Sequence, residues 1–414
     1  MLFTALHRLL GRAAGPITAE LIDAAVENHI AEADDLDWKR ELPPTKGLSA
    51  TDFPKDVAAM ANSGGGVIVY GVEEEQKRAI ARRDVGELSE NHERTLRAAA
   101  YGAITPPVFV AIHTFDDAGK RGVAVVVPAS VDGPHLIFKE KFFGAPLRND
   151  ADTEWMKERE IEAAYRARLD DRRHSAAALV QLYEEAAADW SDSQRAVLIA
   201  VARPRLSPLG SGRVDREVAR SVFRRAETLG QVFADPVGVH PLVNVVDNPR
   251  PGLRRWVAVN AHTAEKTLWR AARASVHEDG AVSMVATVGG HRKPSGGEMR
   301  DSQVDSAAIE CAVSDFLALV RTWSELRGVR DQDVRVGIEW PHVKPLLIQT
   351  VDQSGYPYDG TSVPLKRYVP VSATIDAGAA DEEYLSRVYE VAEDCVNQGG
   401  IKNVRMIKRA ETGG

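Results

Sequence analysis

Cysteine is almost absent: Cys311 and Cys395 are the two in 414 residues. Each falls within a helix-like run, with no second cysteine or paired histidine nearby, which argues against a disulfide scaffold and a cysteine-rich zinc site. Long apolar runs are missing too. Met1 to Gly15 is mildly apolar, but His7, Arg8 and Arg12 interrupt it, and no stretch approaches the ~18 apolar residues of a membrane span. A cytoplasmic protein without a membrane partner is expected. The histidines show no pair at metal-ligand spacing on a helix, no G-x-S-x-G elbow occurs, and no fixed-period repeat or low-complexity tract is present. Basic excess is lacking as well. With 52 Lys+Arg against 60 Asp+Glu the net charge is −8, which at first counts against a nucleic-acid partner, because phosphate binding runs on Lys and Arg.

The acidic excess is uneven. Residues 1–170 hold 21 Lys+Arg and 28 Asp+Glu, whereas 171–414 hold 31 and 32. A polyanionic partner would therefore need a local basic rim that the total conceals. The length predicts two or three domains at roughly 100 to 200 residues each, and the pattern of elements is α+β. Helical spacing runs through Phe3, Leu6 and Leu10 and again from Ile17 to His29. Period-2 alternation through Trp38 marks a half-buried strand before Pro43-Pro44. A helix with the stripe Phe53, Val57, Met60 and Ala61 ends at Ser63-Gly64-Gly65-Gly66, and Val67 to Val72, apolar on both faces, reads as a central strand. Strands at 108–114 and 122–127, a short one around 143–148 and a closing helix from Thr153 to Arg168 complete a mixed α/β unit over 1–172. A charge-rich connector with a helix and strand is expected over 173–213, and a second α+β domain over 190–414. In the latter, strands are expected at 196–202, 255–260, 274–277, 281–288, 334–340, 346–351 and 368–375, with long helices near 215–230, 304–326 and 382–398.

Strand geometry gives the first chemical clue. Within Asp37-Trp38-Lys39 the carboxylate and the ammonium share one face while Trp38 takes the other. A carboxylate can hold a hard divalent cation and a lysine can neutralise charge on a scissile phosphate; the bland alternative is a solvated ion pair. A second clue is Glu73-Glu74-Glu75 at the mouth of the apolar strand, with a solvated turn as the alternative. The glycine run invites a phosphate-loop reading. That motif needs strand, loop, then helix, whereas here the order is helix, loop, strand, so a C-cap with close packing is the better account.

Taken in order, these pieces resemble the Schlafen AlbA-type domain family. The matching residues are Glu32-Ala-Asp-Asp-Leu-Asp37-Trp38-Lys39-Arg40, then Asp56 through Ala61-Asn62-Ser63-Gly64-Gly65-Gly66 to Gly71-Val72-Glu73-Glu74, Ile104-Thr105-Pro106-Pro107, the strand ending at Pro128, and Leu147-Arg148 with Thr153. The resemblance covers roughly residues 15 to 170. It departs from the family pattern where Asp37 stands for the usual Glu and Glu73-Glu74 for the usual Asp-Asp, and the zinc ligands of vertebrate members have no counterpart. It implies a metal-dependent endoribonuclease acting on structured RNA such as tRNA, in phage defence or growth arrest. Glu32, Asp37 and Glu74 would hold Mg²⁺ or Mn²⁺, with Lys39 as a fourth catalytic residue and Arg40 and Arg148 on the nucleic acid. Glu32 joins such a site only if the chain bends between Glu32 and Leu36. The resemblance also implies a homodimer, since vertebrate members place two lobes around RNA. The alternatives are a non-catalytic nucleic-acid-binding regulator and an ATP-binding protein. In the second half, Arg224-Arg225, Arg254-Arg255, Lys366-Arg367 and the tail Lys402, Arg405, Lys408 and Arg409 are candidate RNA contacts, with Trp256 and Tyr368 for stacking.

Overall fold

A computed structural model describes residues 3–117, 119–139, 142–188, 190, 195–206, 208, 213–243, 248–259, 271–290, 301–351 and 362–409. Contacts divide the chain into Met1–Arg173 and His174–Gly414. No helix among the described residues is long and apolar enough to cross a membrane.

The first unit runs α1 (Ala5–Leu9), α2 (Ala19–Glu27), β1 (Leu36–Lys39), α3 (Phe53–Asn62), β2 (Gly66–Tyr70), β3 (Val72–Glu75), β4 (Arg78–Arg82), α4 (Glu90–Gly102), β5 (Ile104–Thr105), β6 (Ala111–Asp117), β7 (Lys120–Val127), β8 (Leu136–Lys139), β9 (Phe142–Gly144), β10 (Pro146–Asn149) and β11 (Asp152–Trp155) into the start of α5 (Glu158–Ala188). Its main sheet has the order β1-β2-β7-β6, with β1 parallel to β2 and the other pairs antiparallel. Alternation sorts the side chains. Leu36, Trp38, Val67 and Val69 join Leu6, Ile22 and Ala25 of α1 and α2 on one face. Ile68, Tyr70, Val123 and Val125 join Phe53, Val57, Met60 and Leu96 of α3 and α4 on the other. Both faces of β2 are buried, as its unbroken apolar run requires. Trp38 is 2% exposed and its indole N–H donates to the Ile30 carbonyl at 3.1 Å, so truncation to Ala would cost about 3–5 kcal/mol.

The glycine run does what a C-cap and close packing require. Ser63 and Gly65 N–H groups both donate to the Met60 carbonyl, at 2.9 and 2.8 Å. Gly65 has φ +90, and a Cβ there would stand 2.6 Å from the Ala129 nitrogen and 2.8 Å from the Val127 oxygen. The close approach of the Val127–Ala129 backbone is what requires glycine at this position.

Three expectations are corrected. The central strand does not run to Val72: β2 stops at Tyr70, the chain turns at Gly71, φ +96, and Val72 to Glu75 form β3, which pairs with β4. The strand around 143–148 is two strands, β9 and β10. The closing helix starts at Glu158, because Thr153 is held in β11 opposite Arg148. That helix also continues through the charge-rich 169–174, where Arg172 pairs with Asp132 and Arg173 with Asp170.

The second unit contains the rest of α5, then β12 (Val197–Pro204), α6 (Arg216–Phe233), β13 (Arg250–Gly252), β14 (Arg255–Val259), β15 (Ala272–His277), β16 (Val282–Thr287), β17 (Gln303–Asp305), α7 (Ser306–Arg327), β18 (Asp331–Glu339), β19 (Leu347–Gln349), β20 (Val371–Asp376) and α8 (Asp381–Asn397). A seven-stranded antiparallel sheet, ordered β13-β14-β15-β16-β12-β18-β20, packs on α6, α7 and α8. Leu179, Leu182 and Tyr183 of α5 cover Val197, Ile199 and Val201 on its opposite face. The expected strand at 196–202 is thus β12, an interior strand of this sheet and part of the second domain's core. Both domains are α+β.

Candidate functional site

The site is built on the edge strand β1. Asp37 and Lys39 share the face that looks toward α3, opposite Trp38, as strand alternation dictates. Lys39 Nζ lies 2.7 Å from Asp37 Oδ2. Asp37 is 2% exposed, and its other oxygen, Oδ1, lies 3.5 Å from Arg148 Nη1. Arg148 was expected on the nucleic acid. It is instead buried, at 6% exposure, and also donates from Nη2 to the Ala33 carbonyl at 3.2 Å and from its backbone N–H to Ser63 Oγ at 2.9 Å. A guanidinium spent on those partners positions Asp37 and does not reach a phosphate on the surface.

Glu32 does reach the site. Ala33 and Leu36 exchange backbone hydrogen bonds at 3.1 and 3.2 Å, which folds the chain back through Asp34-Asp35. The Glu32 carboxylate then accepts the Trp38 backbone N–H at 3.1 Å, on the edge of β1 away from β2. Burial chiefly, then the negative charges of Asp37 and Glu74, push the Glu32 carboxyl up to about 7, against the opposing pull of the Trp38 N–H and Lys39. Burial works against the Lys39 ammonium, but Asp37, Asp56 and Glu32 together outweigh it and hold its pKa above the usual lysine value.

Asp56 was quoted in the motif but not anticipated in the site. It lies on α3, its side chain is 10% exposed, and Oδ2 is 4.0 Å from Lys39 Nζ. Its Oδ1 is 3.8 Å from Lys55 Nζ. Burial raises its carboxyl to about 6, with Lys39 pulling down and Asp37 pushing up. Tyr70, beneath them on β2, is raised by burial first and then by the charges of Asp56 and Asp37. The sequence signal was available: Asp56 lies three residues after Phe53 and four before Met60, on the apolar side of its helix.

The remaining candidates lie further out. Glu73 is taken by Arg83, whose Nε is 2.7 Å from Oε2, and by Arg40 at 3.6 Å from Oε1. Glu74 is exposed on β3, and its charge is felt at Glu32. Arg40 is exposed and also lies 3.9 Å from Glu41. In the second unit Tyr368 is 5% exposed with its hydroxyl donating to the Cys395 carbonyl, and Trp256 donates to the Val214 carbonyl. Tyr368 is therefore a core residue and not a stacking platform.

The donor set was also compared with a divalent cation. Its chemistry is right, since carboxylate oxygens suit Mg²⁺ and Mn²⁺. Its geometry is not: among the described residues no three His, Cys, Asp or Glu are grouped closely enough to hold a metal. The oxygens of Asp37 already face Lys39 and Arg148. As these side chains stand, Glu32, Asp37 and Glu74 do not fit the ion.

A mixed α/β domain with an acid-and-lysine edge strand, an Asn-x-Gly-Gly helix end and a buried arginine returning from β10 defines a class, and comparison with known families places it. Residues 32–157 match the family described as Schlafen, AlbA_2. The chain carries a domain of that family over this segment. Among solved structures, the DIP2311 protein of Corynebacterium diphtheriae is similar at 19% identity and TM-score 0.25, over 42% of this chain and 35% of that one. The N-terminal domain of a protein related to the ATP-dependent DNA helicase RecG, from Nitrosomonas europaea, is similar at 17% identity and TM-score 0.24, over 38% of this chain and 94% of that one. The chain thus spans about a third of the Corynebacterium protein's length. No curated protein matches.

Proposed function

We propose that the Schlafen AlbA_2 domain of this chain is an endoribonuclease domain acting on structured RNA such as tRNA, whose site Mg²⁺ or Mn²⁺ could join only if Lys39 gave up Asp37 to the ion. The observation that carries this reading is the convergence of Glu32 on the Asp37–Lys39 pair through the Ala33–Leu36 bend. Phosphodiester cleavage needs a cation against the charge that builds on phosphorus and a group that exchanges a proton with the attacking or leaving oxygen. Lys39, side chain 38% exposed, supplies the first. Glu32, half-buried and raised to about 7, suits the second near neutral pH. Arg148 holds Asp37, and Asp37 holds Lys39. No step is assigned to a metal, because Asp37 would first have to exchange Lys39 for the ion. Pairing of two copies around the RNA and a role in phage defence or growth arrest belong to the same proposal.

A second reading, a nucleic-acid-binding regulator without catalysis, is favoured by one observation, the neutralisation of Asp37 by two cations. An ATP-binding role has the packed Gly65 against it. End-labelled tRNA incubated with the full chain, with EDTA, Mg²⁺ or Mn²⁺, separates them. Cleavage in Mg²⁺ or Mn²⁺ that EDTA abolishes supports the nuclease. Cleavage undiminished in EDTA supports a nuclease that needs no metal, and saturable binding without cleavage under all three conditions overturns the nuclease in favour of the regulator.

A further inference from the structure

Six side chains of alternating sign run from the start of α3 to the buried arginine. Lys55 Nζ is 2.9 Å from Asp52 Oδ1 and 3.8 Å from Asp56 Oδ1. Lys39 Nζ is 4.0 Å from Asp56 Oδ2 and 2.7 Å from Asp37 Oδ2. Arg148 Nη1, 3.5 Å from Asp37 Oδ1, ends the series. Its inner four are Arg148, Asp37, Lys39 and Asp56, two cations and two anions, three of them at 10% side-chain exposure or less.

Buried charge is tolerated when it is balanced and costly when it is not. Asp37 alone serves two cations, so removing Asp56 would leave the inner four with one uncompensated positive charge. Arg148 cannot leave, because it is fixed by Ala33 and Ser63 as well. Lys39 can, since its stem is flexible and its head already reaches water. We propose that Asp56 is a positioning residue for Lys39: together with Asp37 it brackets the ammonium from the α3 side and keeps it over β1. The consequence for cleavage rests on the nuclease reading above, but the placement of the ammonium does not.

The test uses the full chain with ¹⁵N-lysine, the Lys39 ammonium signal being assigned by its loss in Lys39→Arg. A bracketed ammonium exchanges its protons slowly, and in Asp56→Asn that exchange is expected to quicken by about tenfold or more, while Asp56→Glu stays within roughly threefold of the parent. In the cleavage assay Asp56→Asn lowers kcat by about tenfold with KM within roughly twofold, and Asp56→Glu restores most of it. Asp56→Ser, which removes the charge with less bulk, must quicken the exchange in the same way if Asp56→Asn does not fold. A folded Asp56→Asn or Asp56→Ser chain with unchanged Lys39 exchange overturns the assignment. If the parent chain cuts no RNA the nuclease reading fails, and the exchange result still decides the role of Asp56.

Discussion

Arg148 and Asp37, 111 positions apart in sequence, meet as a buried pair with 3% and 2% side-chain exposure and 3.5 Å between Nη1 and Oδ1. The contact ties β10 to β1 and, through the Ala33 carbonyl, to the bend that delivers Glu32. Arg148→Met would leave the Asp37 carboxylate buried with Lys39 as its one cation. The expected loss is about 3–5 kcal/mol, read from urea denaturation, with Arg148→Lys recovering part of it. A loss below about 1 kcal/mol would mean that the pair is solvated.

Stability should depend on pH in a definite direction. Glu32 and Asp56 have folded-state pKa values of about 7 and about 6, above their ordinary values, so the folded chain binds more protons than the unfolded one between about pH 4 and 7. Stability from these two groups is greatest below that window and falls as pH rises through it. Glu32→Gln should flatten the slope near pH 6 to 7, by on the order of 1 kcal/mol after allowing for partial solvent exposure. Chemical denaturation at several pH values checks it, and an unchanged slope would contradict the assignment.

Gly65→Ala places a Cβ against the backbone of Val127 and Ala129 at a left-handed φ. About 1–3 kcal/mol of destabilisation is expected. Addition of ATP should raise the melting temperature of neither form. A rise in the parent that is lost in the variant would revive the ATP-binding reading.

Chains of 45.1 kDa that work as a pair should elute in light scattering at twice that mass plus the mass of one RNA when RNA is present. A mass of one chain per RNA would contradict the pairing.

Much of the site was legible in sequence because it follows from local periodicity. The shared face of Asp37 and Lys39, the two-sided burial of β2 and the helix-ending role of the glycines all come from neighbours within a few residues. Glu32 was legible only conditionally, since the Ala33–Leu36 bend cannot be read from spacing. Arg148 was read as a ligand contact because its destination, the buried Asp37, is set by tertiary packing. The start of α5 was misplaced for a related reason: Thr153 has no strand periodicity of its own and is held extended by pairing with Arg148. The helices α6, α7 and α8 and the sheet strands β12, β14, β15, β16, β18 and β20 were legible while β13 was not, and nothing in them names a ligand.

The most direct measurement of the central claim is single-turnover cleavage of labelled tRNA by the full chain, compared with Glu32→Gln and Lys39→Met at matched fold by circular dichroism. The account predicts cleavage by the parent chain, with each variant slower by about 10²-fold or more. No cleavage by the parent, or a rate equal to the parent's in either variant, would contradict it.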